Sequence, residues 1–199
     1  MGLQLSETAL LISNALRDHD VRAMRRINDR CIEETAIKFD QHTYLFALIT
    51  YVLSKILSKP RYLVQNTGAH GKPQARTGGT SKKAKDSLTS VAKLLSSCEL
   101  CAASADYTSL LSCQNKVLLA IERMDDRDRR FVKGILQKGK LKIASTLYAQ
   151  GISLGSAAEM TGTDKRELLS YAGQTMMFDR LKEKKGIESR MKDLREIFS

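Results

Sequence analysis

Apolar side chains recur through the first 124 residues at three- and four-residue steps, the spacing of amphipathic helices. Leu10, Leu11, Ala15 and Leu16 mark a helix over residues 6–18, with Ser6 placed to cap it. Over 21–34, Met24, Ile27 and Cys31 face inward, while Arg22, Arg25, Arg26 and Arg30 face water. The strongest pattern is Tyr44, Leu45, Leu48, Ile49, Val52, Leu53, Ile56 and Leu57. It predicts a central buried helix that Pro60 brings to an end. Further stripes lie at 81–97 (Leu88, Val91, Leu94, Leu95) and at 106–124 (Tyr107, Leu110, Leu111, Val117, Leu118, Ile121). Helices are also expected at 126–138, at 140–150 and at 187–198, the last with Met191, Leu194, Ile197 and Phe198 on one face. Nowhere do β-branched residues alternate with polar ones, so no strand is expected.

The predicted fold is therefore all-α. Residues 1–124 form an N-terminal helical bundle; residues 125–199 carry a basic helix, a helix-turn-helix unit and a C-terminal helix. Between 65 and 81 the pattern lapses. Gly68, Gly71, Pro73, Gly78 and Gly79 oppose regular structure, which predicts a mobile basic loop. Its Gly68-Ala-His70-Gly71-Lys72-Pro73 stretch does not make a phosphate loop, because Asn66 stands where the first glycine belongs and Pro73 where a hydroxyl must meet magnesium.

The helix-turn-helix expectation rests on residues 152–169, Ile-Ser-Leu-Gly-Ser-Ala-Ala-Glu-Met-Thr-Gly-Thr-Asp-Lys-Arg-Glu-Leu-Leu. Ala157 and Ala158 are small enough for two helices to cross closely, Gly162 supplies a turn residue with φ > 0, and Leu168 docks the second helix on the first. Asp164 reads as an N-cap with Glu167 three residues on, the spacing of a capping box. Lys165 and Arg166 then fall in the first turn of the second helix. The same spacing also fits an ordinary helix pair closed by a glycine turn.

The stretch, counted with the preceding helix from residue 141, resembles the helix-turn-helix of bacterial and archaeal transcription regulators, antitoxin-type regulators above all. Thr161 stands where that pattern has alanine or a larger apolar residue, and Asp164 where it has serine. The resemblance implies DNA binding, with Ala158 at the helix crossing and Gly162 at the turn. Lys165 and Arg166, with Ser170 one turn further, are expected to meet base edges in the major groove.

Charge agrees with a polyanionic partner. The chain holds 33 Lys and Arg against 22 Asp and Glu, a net charge of +11. Residues 63–85 contain Lys72, Arg76, Lys82, Lys83 and Lys85 with no acid, and 125–150 contain seven cations against three acids. Of these seven, Arg129, Arg130, Lys133, Lys140 and Lys142 are expected to hold phosphates, keeping the reading helix in register. Such units read two half-sites one DNA turn apart, so a homodimer on double-stranded DNA is expected.

Other chemistry is sparse. The most apolar run, 43–57, is too short to span a membrane and contains Lys55, and no export segment is read, so a cytoplasmic protein is expected. Cys31, Cys98, Cys101 and Cys113 read as buried thiols, with Cys98-Glu-Leu-Cys101 also spaced for a metal knuckle or a redox pair. His19, His42 and His70 lack partners in a catalytic spacing, and His19 reads as a surface residue at a helix end. The chain is thus expected to be a DNA-binding regulator and not an enzyme, with no metal or cofactor. The alternatives are a protein-interaction module of antitoxin or adaptor type, or a zinc- or thiol-dependent enzyme.

Overall fold

A computed structural model describes residues 4–58, 80–126 and 134–176, and among these every regular element is an α-helix. The chain divides into two compact units, Met1–Lys140 and Leu141–Ser199.

In the first unit the helices are α1 (Leu5–Arg17), α2 (Val21–Ile37), α3 (Gln41–Leu57), α4 (Thr80–Ala103) and α5 (Tyr107–Asp126). They pack in a circuit: α1 against α2, α2 against α3, α3 against α5, α5 against α4, and α4 back against α1. α3 also meets α1 across the middle. α3 is the buried helix that its apolar pattern predicts, with Phe46, Leu48, Ile49, Val52, Leu53 and Leu57 almost wholly out of water. Its polar side chains are satisfied locally, since the Thr50 hydroxyl donates to the Phe46 carbonyl at 2.7 Å and that of Ser54 to Tyr51 at 2.7 Å.

Two buried polar contacts fix neighbours on α3. The Asn28 side-chain amide donates to the Ala47 carbonyl at 2.6 Å, which ties α2 down. Gln114 of α5 holds His42 at two points: its amide donates to the His42 carbonyl at 3.0 Å, and its carbonyl oxygen meets the imidazole Nδ1 at 3.0 Å. A carbonyl oxygen cannot donate, so Nδ1 carries the proton here.

The boundaries depart from the sequence reading at the end of α2, which runs to Ile37 and not 34, and in three further places. α1 starts at Leu5 with Gln4 in the cap position and no side-chain cap, so Ser6 lies inside the first turn. α4 runs to Ala103 and not 97, because Cys98 continues the buried stripe of Val91 and Leu95 at i+3 and i+7. It stops where Ala105 takes φ 55° and Asp106 caps α5 by accepting the Ser109 N–H at 3.0 Å.

The third departure concerns α6 (Ile135–Ala149), which passes without a break through Gly139, where separate helices at 126–138 and 140–150 were expected. Gly139 is a packing residue. A Cβ on it would come within 2.8 Å of Leu48 Cδ1 and 3.1 Å of Tyr51 Cδ1, so the missing side chain makes room for these two side chains within the first unit. The expected helix at 187–198 lies outside the described residues. So does the 65–81 loop, apart from Thr80 and Ser81, which open α4.

Candidate nucleic-acid interface

In the second unit, α6 ends at Gly151, whose φ of 100° suits glycine; its N–H donates to the Tyr148 carbonyl at 3.0 Å, and that of Ile152 to Leu147 at 3.2 Å. The Ser153 hydroxyl then accepts the Ser156 N–H at 3.1 Å and starts α7 (Leu154–Thr161). Gly162 closes α7 in the left-handed conformation (φ 63°, ψ 40°). The Thr163 N–H returns to the Ala158 carbonyl at 3.0 Å. Asp164 begins α8 (Lys165–Thr175), its carboxylate accepting the N–H groups of Arg166 at 2.8 Å and Glu167 at 3.1 Å. Glu167 places a negative charge in the first turn, where the helix dipole favours it.

α7 packs on α8, and Ala157, Ala158, Leu168 and Ala172 are their buried apolar positions. Thr161 is buried too, although the regulator pattern has an apolar residue there. Its hydroxyl donates to the Ala157 carbonyl at 2.7 Å, so burial leaves no polar atom unsatisfied.

The other side of α8 faces water. Lys165, Arg166, Leu169, Ser170, Gly173 and Gln174 are exposed, and a Cβ on Gly173 would meet nothing within 4 Å. Arg166, Ser170 and Gln174 fall on one line at i, i+4 and i+8, and the Gln174 amide donates to the Ser170 hydroxyl at 3.3 Å. Lys165 takes a different course: a Cβ at Gly155 would lie 3.7 Å from its Nζ and 3.8 Å from its Cε, so its side chain folds back over the start of α7. The sequence reading missed Ser153, Gly155 and Gln174. Gln174 was accessible from its i+8 spacing to Arg166, whereas Gly155 gains its role only through the fold of Lys165.

The residues expected to meet phosphates are less well gathered. Arg129, Arg130 and Lys133 lie outside the described residues. Lys140 and Lys142 are both half-exposed on α6 but stand about 200° apart around it, on opposite faces, at 3.6 residues per turn. Lys142 instead shares a face with Lys138.

Among the described residues no group of three His, Cys, Asp or Glu is arranged to hold a metal ion, and no helix is long and apolar enough to cross a membrane. His19 sits in the α1–α2 turn with φ 54°, its Nδ1 3.2 Å from the Arg17 carbonyl. Cys31 is fully buried, and burial pushes its thiol up to about 12. No protein-family model matches the chain, and neither a curated protein nor a solved structure is significantly similar to it.

Proposed function

We propose that the pair α7–α8 is the core of a helix-turn-helix that sets α8 in the major groove of double-stranded DNA, and that the chain regulates transcription. One observation carries this reading above the rest. A left-handed glycine and an aspartate cap join two helices packed through small residues, and the second helix turns a line of hydrogen-bonding side chains to water. Arg166 offers the fork that fits the guanine edge, Gln174 the amide that fits adenine, and Leu169 an apolar contact for a thymine methyl. Ser170 lies between Arg166 and Gln174 on that line and accepts the Gln174 amide. Lys165, drawn toward α7, supplies charge at the edge of the contact, and Lys140 and Lys142 add to the positive field that attracts a polyanion.

On this reading the chain is a binder rather than an enzyme, and it acts as a homodimer on paired half-sites with the remaining helices serving dimerisation or effector sensing. A second reading, a protein-interaction module, draws on Ile37 (80 % exposed) and Leu100 (72 % exposed), large apolar side chains left in water in the first unit. Selection of bound duplexes from a random-sequence pool separates the two. A regulator enriches a short motif repeated at about one helical turn, 10 to 10.5 base pairs; a protein-interaction module enriches none.

A further inference from the structure

Three of the four cysteines meet where α4 turns into α5. Cys98 and Cys101 stand one turn apart on α4, and the Cys113 thiol of α5 shares S–H···S hydrogen bonds with both. The junction is held tightly. The Cys101 carbonyl accepts the Asp106 N–H at 3.1 Å and the Ser104 hydroxyl at 3.0 Å, which fastens the turn before α5 onto the end of α4.

The three thiols differ in access. Cys98 is fully buried, whereas Cys101 and Cys113 are half-buried and can be reached by a small polar reagent. Burial raises the Cys98 thiol far out of the range in which a thiolate forms near neutral pH. Cys101 is also raised, by desolvation first, then by the Cys113 thiol and the Asp106 carboxylate, while the charge of Lys116 draws it the other way. Access separates the three: Cys98 is closed to solvent, and Cys101 and Cys113 are the pair that a reagent in solution reaches.

We propose that Cys101 and Cys113 are a thiol pair that a hydroperoxide closes to a disulfide, stapling α4 to α5. The thiolate of one residue attacks the peroxide: an S–O bond forms, the O–O bond breaks, and the alcohol, or water from hydrogen peroxide, leaves with a proton. The sulfenic acid produced is then attacked by the second sulfur, which gives up its proton; the S–S bond forms, the S–O bond breaks, and water departs. Two thiols and one hydroperoxide thus become one disulfide, one alcohol and one water, with two electrons passing to the peroxide. The bridge joins α4 to α5, two helices that already pack against each other.

The test treats the reduced full-length chain with hydrogen peroxide, alkylates the remaining thiols in denaturant, and digests after Glu99 and after Tyr107 to separate the three cysteines. The expected product has no disulfide between chains in denaturant and is lighter by the mass of two hydrogens before alkylation, with the Cys101 peptide linked to the Cys113 peptide and with Cys31 and Cys98 alkylated. Its heat-unfolding midpoint lies above that of the reduced chain and returns on treatment with dithiothreitol. Cys98→Ala retains the bridge and Cys113→Ser abolishes it; mapping on the unaltered chain decides the matter should either variant fail to fold. Alkylation of all four thiols after peroxide treatment, over-oxidation without a bridge, a bridge to Cys98, or a bridge between two chains would each overturn the proposal.

Discussion

The Asp164 carboxylate accepts the backbone N–H of Arg166 at 2.8 Å, so the residue that starts α8 also fixes the peptide from which its foremost arginine projects. It does so while placing a negative charge beside the face proposed to meet DNA. The two effects separate by substitution. Asp164→Ala loses the cap and costs about 1 kcal/mol of stability in chemical denaturation. Asp164→Ser keeps the cap, stays within about 0.5 kcal/mol of the parent, and binds duplex DNA more tightly at low salt.

Gly139 and Gly155 are both helical glycines, and they respond oppositely to a methyl group. Gly139→Ala drives Cβ into Leu48 and Tyr51 and destabilises the fold by about 1 to 3 kcal/mol. Gly155→Ala meets Lys165 only at ordinary contact distance and gains about 0.5 to 1 kcal/mol, because glycine loses more backbone freedom in a helix. Urea unfolding of the two variants checks the contrast; equal effects would contradict it.

Gly162 is constrained by its backbone alone, since a Cβ there would meet nothing within 4 Å. Gly162→Asn is therefore tolerated and Gly162→Val is not, the latter losing about 1 to 2 kcal/mol on forcing a β-branched residue to φ 63°. Thermal unfolding of the pair reads this difference directly.

The helical periodicity of 44–57 announced a buried helix because two apolar residues in every four make a broad face that must be covered, and α3 has that burial on it while Lys55 stays exposed. Asp164 and Gly162 were legible for a related reason: a cap and a left-handed turn depend on local chemistry, which neighbours in sequence carry. Gly139 was misread. A glycine between lysines looks like a break until the helix it must approach, some ninety residues earlier, is known. His42 seemed to lack a partner for the same reason, since Gln114 reaches it only through the packing of α5 on α3.

Acid sensitivity has an identifiable source in the cap of α2. Asp20 accepts the N–H groups of Arg22 at 2.8 Å and Ala23 at 2.9 Å, and the bond from Ala23 above all holds its carboxyl below the ordinary aspartate value of 3.8. A depressed folded value means that this contribution is present above 3.8 and is lost as pH falls through the lower folded value. Asp20→Asn keeps a cap without titrating, so its stability falls less over the same acid range. Denaturation midpoints measured in parallel down the pH scale test this, and identical acid slopes would contradict it.

The most direct test of the proposed DNA reading is a salt titration of duplex binding by the unaltered chain, Arg166→Ala and Lys140→Ala, each on a selected site and on random DNA. The account predicts that affinity falls steeply with salt for the unaltered chain. Arg166→Ala should cost about 1 to 3 kcal/mol on the selected site and little on random DNA, as loss of a base contact does. Lys140→Ala should weaken both alike and lower the salt slope by about one, as loss of a phosphate contact does. Binding that is absent at low salt, or that neither substitution changes, would contradict the assignment of α8 as a DNA-reading helix.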